Sequence, residues 1–200
     1  MDWQRWKKLL PIFGVVGGLS LRELLHQHHA RKKNYDGKSF MCTSTVKELL
    51  THKRISDWIE NHHLHQHTTV YQQCLITHIV DKSRLLFAIL VMAELEHLIS
   101  ALYTYRLNDD SLPEIDCSAF GLSHDEQLRL DEQRYLFSPV LRKTEHLYLS
   151  PKTTLPFMKR RRTGKNGSFG QIFEVEVAGG HLEGYDEVKR CIRIRRHINC

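Results

Sequence analysis

The stretch TGKNGSFGQIFEVEV, residues 163–177, constrains the fold more tightly than any other part of the sequence. It begins as a glycine-rich turn and continues as a strand, and residues 157–162 form a short strand before it. Polar and apolar residues in the second strand alternate with the two-residue period of a sheet: Ile172, Glu174 and Glu176 share one face, and Gln171, Phe173, Val175 and Val177 share the other. The sequence therefore predicts a β-hairpin over residues 157–177.

The turn of this hairpin has the composition of an anion-binding loop. Gly167 and Gly170 flank an aromatic tip, Phe169. Glycine permits a positive φ, and because it has no Cβ the neighbouring backbone N–H groups can approach an anion closely. A polyphosphate is the ligand that such a loop typically binds.

These residues resemble the nucleotide-covering loop of eukaryotic protein kinases, written G-x-G-x-x-G-x-V. Gly167 matches the second glycine, Gly170 the third, and Ile172 the apolar residue that follows. The spacing places the first glycine at Lys165, whereas Gly164 stands one residue earlier. A one-residue bulge would restore the turn; without it the loop would bind phosphate poorly.

The sequence upstream of the loop extends the resemblance. Residues 147–157, 135–140 and 85–91 are similar to the helical region that precedes the catalytic domain in serine/threonine kinases of filamentous fungi. The resemblance covers residues 80–178. It implies an α+β fold, in which a mainly α-helical N-terminal region is followed by a short antiparallel β-hairpin like the start of a kinase N-lobe.

The resemblance also implies the cofactor and the residues that bind it. The parent activity is transfer of the ATP γ-phosphoryl group to serine or threonine, and magnesium is needed only in a complete kinase. The cofactor-binding residues implied are Gly164, Lys165, Gly167, Ser168, Phe169, Gly170 and Ile172. Gly167 to Gly170 would cover the phosphates, and Ile172 would contact the adenine.

The catalytic motifs of the family are absent from the chain. The nearest counterpart of the Val-Ala-Ile-Lys strand is CIRIRR, residues 191–196, which has no lysine at the matching place. There is no His-Arg-Asp, Asp-Phe-Gly or Ala-Pro-Glu. Phosphoryl transfer needs these groups together, so we expect no catalytic residue and no activity from this chain alone. The resemblance thus implies a fragment of a kinase whose catalytic domain is truncated, and a truncated or misread gene would explain residues 189–200.

Charge and proline placement predict the organisation of the chain. The formal net charge is +6. From Arg142 onward the chain contains 13 Lys and Arg residues but only 6 Asp and Glu residues. Such a basic end indicates contact with phosphate, nucleic acid or an acidic partner, or else a solvated strand edge and tail. Pro139, Pro151 and Pro156 predict a linker over residues 139–156. It would separate a helical region, residues 1–138, from the hairpin and basic tail, residues 157–200.

A second class of function stays open, that of a non-enzymatic helical interaction module with a basic tail, which binds a protein or a nucleic acid. The basic run Lys159–Arg162 could serve nuclear import or nucleic-acid binding, could face phosphate, or could simply be exposed. No stripe of alternating aromatic and basic residues is present, which argues against nucleic acid as a partner.

Within the helical region, capping boxes predict helix starts at Ser20–Glu23, Thr45–Glu48 and Ser123–Glu126. Residues 34–38 predict a turn. Residues 69–80 are apolar enough for a strand or a buried helix, and their period does not decide between the two. A wide apolar surface over Lys82–Arg106 predicts one long central helix.

Histidines and cysteines predict no metal site and a reducing compartment. His63 and His67 could share a metal on one helical face, but an exposed polar loop is the simpler interpretation. The five cysteines include no C-x-x-C pair, so we expect an intracellular protein, cytoplasmic or nuclear. Residues 9–21 have the length of a signal-peptide core but lack a cleavage site, and we expect an amphipathic or buried start and no membrane partner.

Overall fold

The computed structural model describes residues 19–62, 68–114, 121–143, 149–167, 170–185 and 191–196. Helices occupy the first part of this range, and the strands of a small antiparallel sheet occupy the last part. The α+β fold expected from the sequence is confirmed at this level. Residues 1–18, which include most of the apolar start, lie outside the described ranges.

The helices, given in chain order, are α1 (Leu21–Arg31), α2 (Thr43–Leu49), α3 (His52–Asn61), α4 (Thr69–Lys82), α5 (Arg84–Met92), α6 (Ile99–Thr104) and α7 (His124–Arg134). Two 3₁₀ helices, Glu96–Leu98 and Asp109–Glu114, precede and follow α6. The strands are β1 (Leu141–Arg142), β2 (Phe157–Gly167), β3 (Gly170–Val177), β4 (Leu182–Glu183) and β5 (Cys191–Arg196). None of the helices in the described ranges is both long and apolar enough to cross a lipid bilayer.

Two of the three capping boxes are present. The Ser20 hydroxyl accepts a hydrogen bond from the backbone N–H of Glu23, and the Glu23 carboxylate accepts one from the Ser20 N–H. The same reciprocal pair joins Ser123 and Glu126 at the start of α7. The third prediction is wrong, because α2 begins at Thr43 without a side-chain cap and therefore already contains the residues of the proposed box.

Helix α5 is the centre of the helical core. Its seven residues from Leu86 to Met92 are all buried, and it packs against α1, α2, α4, α6 and α7. The Phe87 ring meets the Trp58 ring of α3 edge-on, with centroids 5.3 Å apart. An apolar surface on every side of a helix requires neighbours on every side, and the other helices supply them.

The prediction of one long helix over Lys82–Arg106 is wrong. Residues 69–80 are helical and belong to α4, which ends at Lys82. The next helix, α5, ends at Met92. Glu94 then adopts a left-handed φ of 59°, and the Leu95 N–H donates to the Leu90 carbonyl at 2.9 Å. This αL ending usually carries glycine, so the sequence contains no signal for it. Breaking the stretch allows α4 and α6 to pack beside α5.

The sheet has the strand order β2-β3-β5, and both pairings are antiparallel. The alternation predicted for β3 is confirmed for its described side chains, because Phe173, Val175 and Val177 are buried while Glu174 and Glu176 are partly exposed. Phe157, Leu141, Leu155 and Leu182 complete this second core. It is separate from the core of the helices.

Backbone contacts tie the predicted linker and the start of β2 to other parts of the chain. Strand β1 pairs in parallel with β4, and the Leu141 N–H donates to the His181 carbonyl at 2.9 Å. The Tyr35 N–H donates to the Phe157 carbonyl at 2.9 Å. The predicted turn at residues 34–38 is present, with Gly37 at a φ of 76°, and it supplies this contact.

Candidate functional site

The glycine-rich hairpin is formed by β2 and β3. Gly167 pairs with Gly170 across the two strands, and the two residues between them, Ser168 and Phe169, lie outside the described ranges. A two-residue connection is the commonest way to close an antiparallel hairpin. The hairpin predicted over residues 157–177 is therefore present, with its glycines at the last paired positions.

The register of the hairpin is interrupted beside the glycines. Arg162 pairs with Phe173 and Asn166 with Gln171, so β2 advances by four residues while β3 advances by two. Two additional residues are thus accommodated over 163–165 on β2. A bulge of this kind locally disrupts the ladder and bends the strand. The sequence had suggested one additional residue at this place, and the register contains two.

The backbone places the predicted cofactor-binding residues at one end of the sheet. Gly164, Lys165 and Gly167 belong to the distal part of β2, and Gly170 and Ile172 to the start of β3. All five residues lie close to the turn.

Two of the four cations in the basic run preceding the loop pair with glutamates of β3. Lys159 Nζ lies 2.8 Å from Glu176 Oε2, and Arg161 Nη2 lies 2.6 Å from Glu174 Oε2. Each cation is directly opposite its carboxylate in the strand register. The lysine and arginine side chains are about four-fifths exposed, so each pair contributes at most about 1 kcal/mol. All four side chains of the run are exposed.

Arg160 has a different environment from its two neighbours. Its guanidinium carbon lies 3.9 Å from the centroid of the Phe173 ring, and its Nη1 donates to the Tyr35 hydroxyl at 2.9 Å. Stacking of arginine on an aromatic ring is favourable by about 0.5–1 kcal/mol at exposed sites. Arg160 therefore joins the hairpin to the turn at residues 34–38.

Strand β5 occupies the position of a third strand beside the hairpin. Its residues Arg195 and Arg193 are opposite Ile172 and Glu174 in the register. The strand contains three arginines and no lysine. An arginine carries the same positive charge as a lysine but presents a planar fork in place of a compact ammonium.

The described part of the chain also contains a cleft that no sequence pattern indicates. A charged cleft of about 1120 Å³ opens between the end of α4, the 3₁₀ helix Asp109–Glu114 and residues 134–142 and 149–153. Its lining residues extend from Thr43 to Glu183, so no local motif connects them. We refer to it below as the charged cleft.

Some of the charged side chains that line this cleft stabilise the fold. The Asp109 carboxylate accepts a hydrogen bond from the Leu86 N–H at 3.0 Å and so satisfies the start of α5, and burial raises the pKa of this carboxyl. Arg142 pairs with Glu183 at 2.8 Å and with Asp110 at 3.6 Å. These contacts hold β1 and the 3₁₀ helix in place around the cleft.

Metal-binding side chains are not gathered anywhere in the described ranges, where no group of three or more His, Cys, Asp or Glu is placed to hold an ion. His63 and His67 lie outside those ranges. A comparison of the chain with protein-family models, curated proteins and solved structures finds no match.

Proposed function

We propose that the glycine-rich hairpin covers the phosphates of ATP, as the corresponding loop does in the protein-kinase family that the sequence resembles. The chain would bind the nucleotide weakly and would not transfer its γ-phosphoryl group. In this proposal Gly167 and Gly170, with Ser168 and Phe169 between them, supply backbone N–H groups to the phosphates, and Ile172 contacts the adenine.

The observation that carries the proposal is the pairing of Gly167 with Gly170 at the closed end of an antiparallel hairpin. In this arrangement the two residues without a Cβ border the tip, so a phosphate can approach the main chain from either side.

Strand β5 supports the part of the proposal which says that the chain does not transfer the γ-phosphoryl group. The order β2-β3-β5 is that of a three-stranded antiparallel meander, and β5 follows the hairpin as the lysine-bearing strand does in the family. Arginine replaces lysine throughout this strand. Without the lysine and the groups that hold magnesium, the nucleotide would be bound but not positioned for reaction.

Substitution of Gly167 provides the test of nucleotide binding. A fluorescent ATP analogue should bind the wild-type chain, and Gly167→Val should weaken this binding about tenfold or more, because one or two charge-assisted backbone hydrogen bonds are lost. Titration followed by fluorescence anisotropy measures the difference.

Gly179→Val is the matched control for this experiment. Gly179 follows β3, and a Cβ at this position meets no heavy atom within 4 Å. The control should bind the analogue as the wild type does. Equal affinity of the wild type and Gly167→Val, or an equal loss in both variants, would refute the proposal.

A second candidate function is that of a helical module that binds a protein partner. The favouring observation is the charged cleft, which adjoins the helical core and is independent of the hairpin tip. The helices have a core of their own, so this surface does not need the nucleotide loop for its shape.

A further inference from the structure

The turn at residues 34–38, between α1 and α2, is held in one conformation by the side chain of Asn34. The Asn34 Oδ1 accepts hydrogen bonds from the backbone N–H groups of Asp36 and Lys38, each at 3.0 Å. The Asn34 N–H donates to the Lys38 carbonyl at 2.9 Å, and Asn34 itself is buried. Asparagine commonly fixes a turn through such contacts with its own backbone, so this turn has a defined shape.

This turn contacts the chain at three successive points as the chain enters and follows β2. The Asn34 Nδ2 donates to the Leu155 carbonyl at 3.2 Å, and the Tyr35 N–H donates to the Phe157 carbonyl at 2.9 Å. The third contact joins two side chains, because Arg160 Nη1 donates to the Tyr35 hydroxyl at 2.9 Å. The base of the hairpin is therefore attached to the turn along several residues.

Arg160 extends this attachment to the second strand of the hairpin. Its guanidinium carbon lies 5.3 Å from the centroid of the Tyr35 ring and 3.9 Å from the centroid of the Phe173 ring. Phe173 is 5% exposed and belongs to the core of the sheet. The side chain of Arg160 thus links the turn to both β2 and β3.

Phe173 lies where the regular pairing of the hairpin ends. It pairs with Arg162, and this is the last register pair before the interruption over residues 163–165. Gly167 and Gly170, which border the hairpin tip, lie beyond the interruption. Arg160 therefore contacts the hairpin at the base of the segment that is proposed to cover the phosphates. A functional site needs supporting contacts of this kind, because a small displacement of its backbone weakens its interactions.

Arg161 provides the comparison within the same strand. It is exposed like Arg160, but its Nη2 pairs with Glu174 of β3 at 2.6 Å. Successive residues of a strand point to opposite faces of the sheet. Arg161 thus carries the same charge as Arg160 at an adjacent position, and its ion pair stays within the hairpin.

We propose that the turn at residues 34–38 sets the position of the hairpin tip, and that Arg160 is the positioning residue through which it does so. Arg160 itself does not bind phosphate. It acts through the Tyr35 hydroxyl on one side and the Phe173 ring on the other. This inference rests on the proposed function of the hairpin and adds the contact that orients it.

The test compares four variants of the full chain in titrations with the fluorescent ATP analogue. Tyr35→Phe keeps the ring but removes the hydroxyl, and Arg160→Gln removes the guanidinium. Each should weaken binding about fivefold, because one charge-assisted hydrogen bond that holds the tip in place is lost. The double variant should lose no more affinity than Arg160→Gln, because both substitutions remove the same contact. Arg161→Gln is the charge-matched control and should bind within about twofold of the wild type, because exposed ion pairs contribute little.

Amide signals of the nucleotide-free chain separate positioning from stability. In ¹⁵N-labelled protein, Tyr35→Phe and Arg160→Gln should both shift the signals of Gly167 and Gly170, whereas Arg161→Gln should leave them in place. A merely structural contact would lower the thermal midpoint of both variants and leave these signals of the folded chain unchanged.

Unshifted glycine signals in both Tyr35→Phe and Arg160→Gln would overturn the inference. So would full retention of analogue affinity by these two variants, or an equal loss of affinity in Arg161→Gln. The amide comparison needs no nucleotide. If the wild type fails to bind the analogue, the proposed function is refuted, and the glycine signals still decide whether the turn positions the hairpin tip.

Discussion

Leu90→Asp is expected to abolish the cooperative thermal transition of the helical region. Leu90 lies in α5, the helix on which the other helices pack, and it is 6% exposed. A carboxylate at this position would lose its hydration without gaining a partner, and the leucine contacts would be lost as well. The apolar part alone costs about 2–5 kcal/mol, which is a large share of the 5–15 kcal/mol that stabilises a typical domain.

Leu128→Asp is the matched control for this substitution. Leu128 lies on α7 and is 48% exposed, so the same chemical change there should alter the thermal midpoint only slightly. Far-UV circular dichroism followed through a thermal scan measures both variants. A retained cooperative transition in Leu90→Asp would contradict the central place given to α5.

The folded state is expected to lose stability as the pH falls below about 6.5, the ordinary pKa of histidine. His181 is fully buried between β3 and β4, and burial lowers its pKa, with nearby Lys32 acting in the same direction. Its Nδ1 lies 3.0 Å from the Pro139 carbonyl, and its buried Nε2 has no hydrogen-bond partner. The neutral ring is therefore the form that fits, with the proton on Nδ1.

The sign of this effect follows from the lowered pKa. The unfolded chain takes up a proton near pH 6.5, whereas folded His181 resists it, so acid favours unfolding. The contribution of His181 to the free energy of unfolding is complete above the pKa of the ring in the unfolded chain. It is lost as the pH falls toward the lower pKa of the ring in the folded state. Burial lowers the pKa of His26 and His29 as well, and these act in the same direction.

Two substitutions at His181 isolate its contribution. His181→Asn retains an N–H donor for the Pro139 carbonyl but cannot titrate, so urea unfolding should depend less on pH between 7.5 and 5.5 than in the wild type. His181→Leu leaves that carbonyl without its donor and should cost about 1–3 kcal/mol at neutral pH. An unchanged pH dependence in His181→Asn would show that other groups cause the loss.

Local sequence signals predicted several locally determined parts of the fold, although the capping box expected at Thr45–Glu48 is not formed. The capping boxes at Ser20 and Ser123 are read from residues three apart, and both are formed. The hairpin is likewise a local structure, since its alternation and its glycines adjoin each other in the chain. The strand order β2-β3-β5 follows the same chain order.

The other errors arise where residues distant in the sequence determine the structure. The stretch Lys82–Arg106 is helical by composition, but packing requires it to break, and Glu94 and Arg106 adopt a conformation for which their side chains give no signal. Asp109 satisfies the start of α5 from beyond α6. The charged cleft and the buried His181 also depend on contacts between separate elements, so no window of sequence reveals them.

The claim that backbone amides of the hairpin hold phosphate can be tested directly by nuclear magnetic resonance. In a ¹⁵N-labelled chain, ATP and inorganic tripolyphosphate should both shift the amide signals of Gly167 and Gly170, whereas adenosine should leave these signals in place. Shifts caused by adenosine alone, or phosphate-dependent shifts that spare both glycines, would contradict the account.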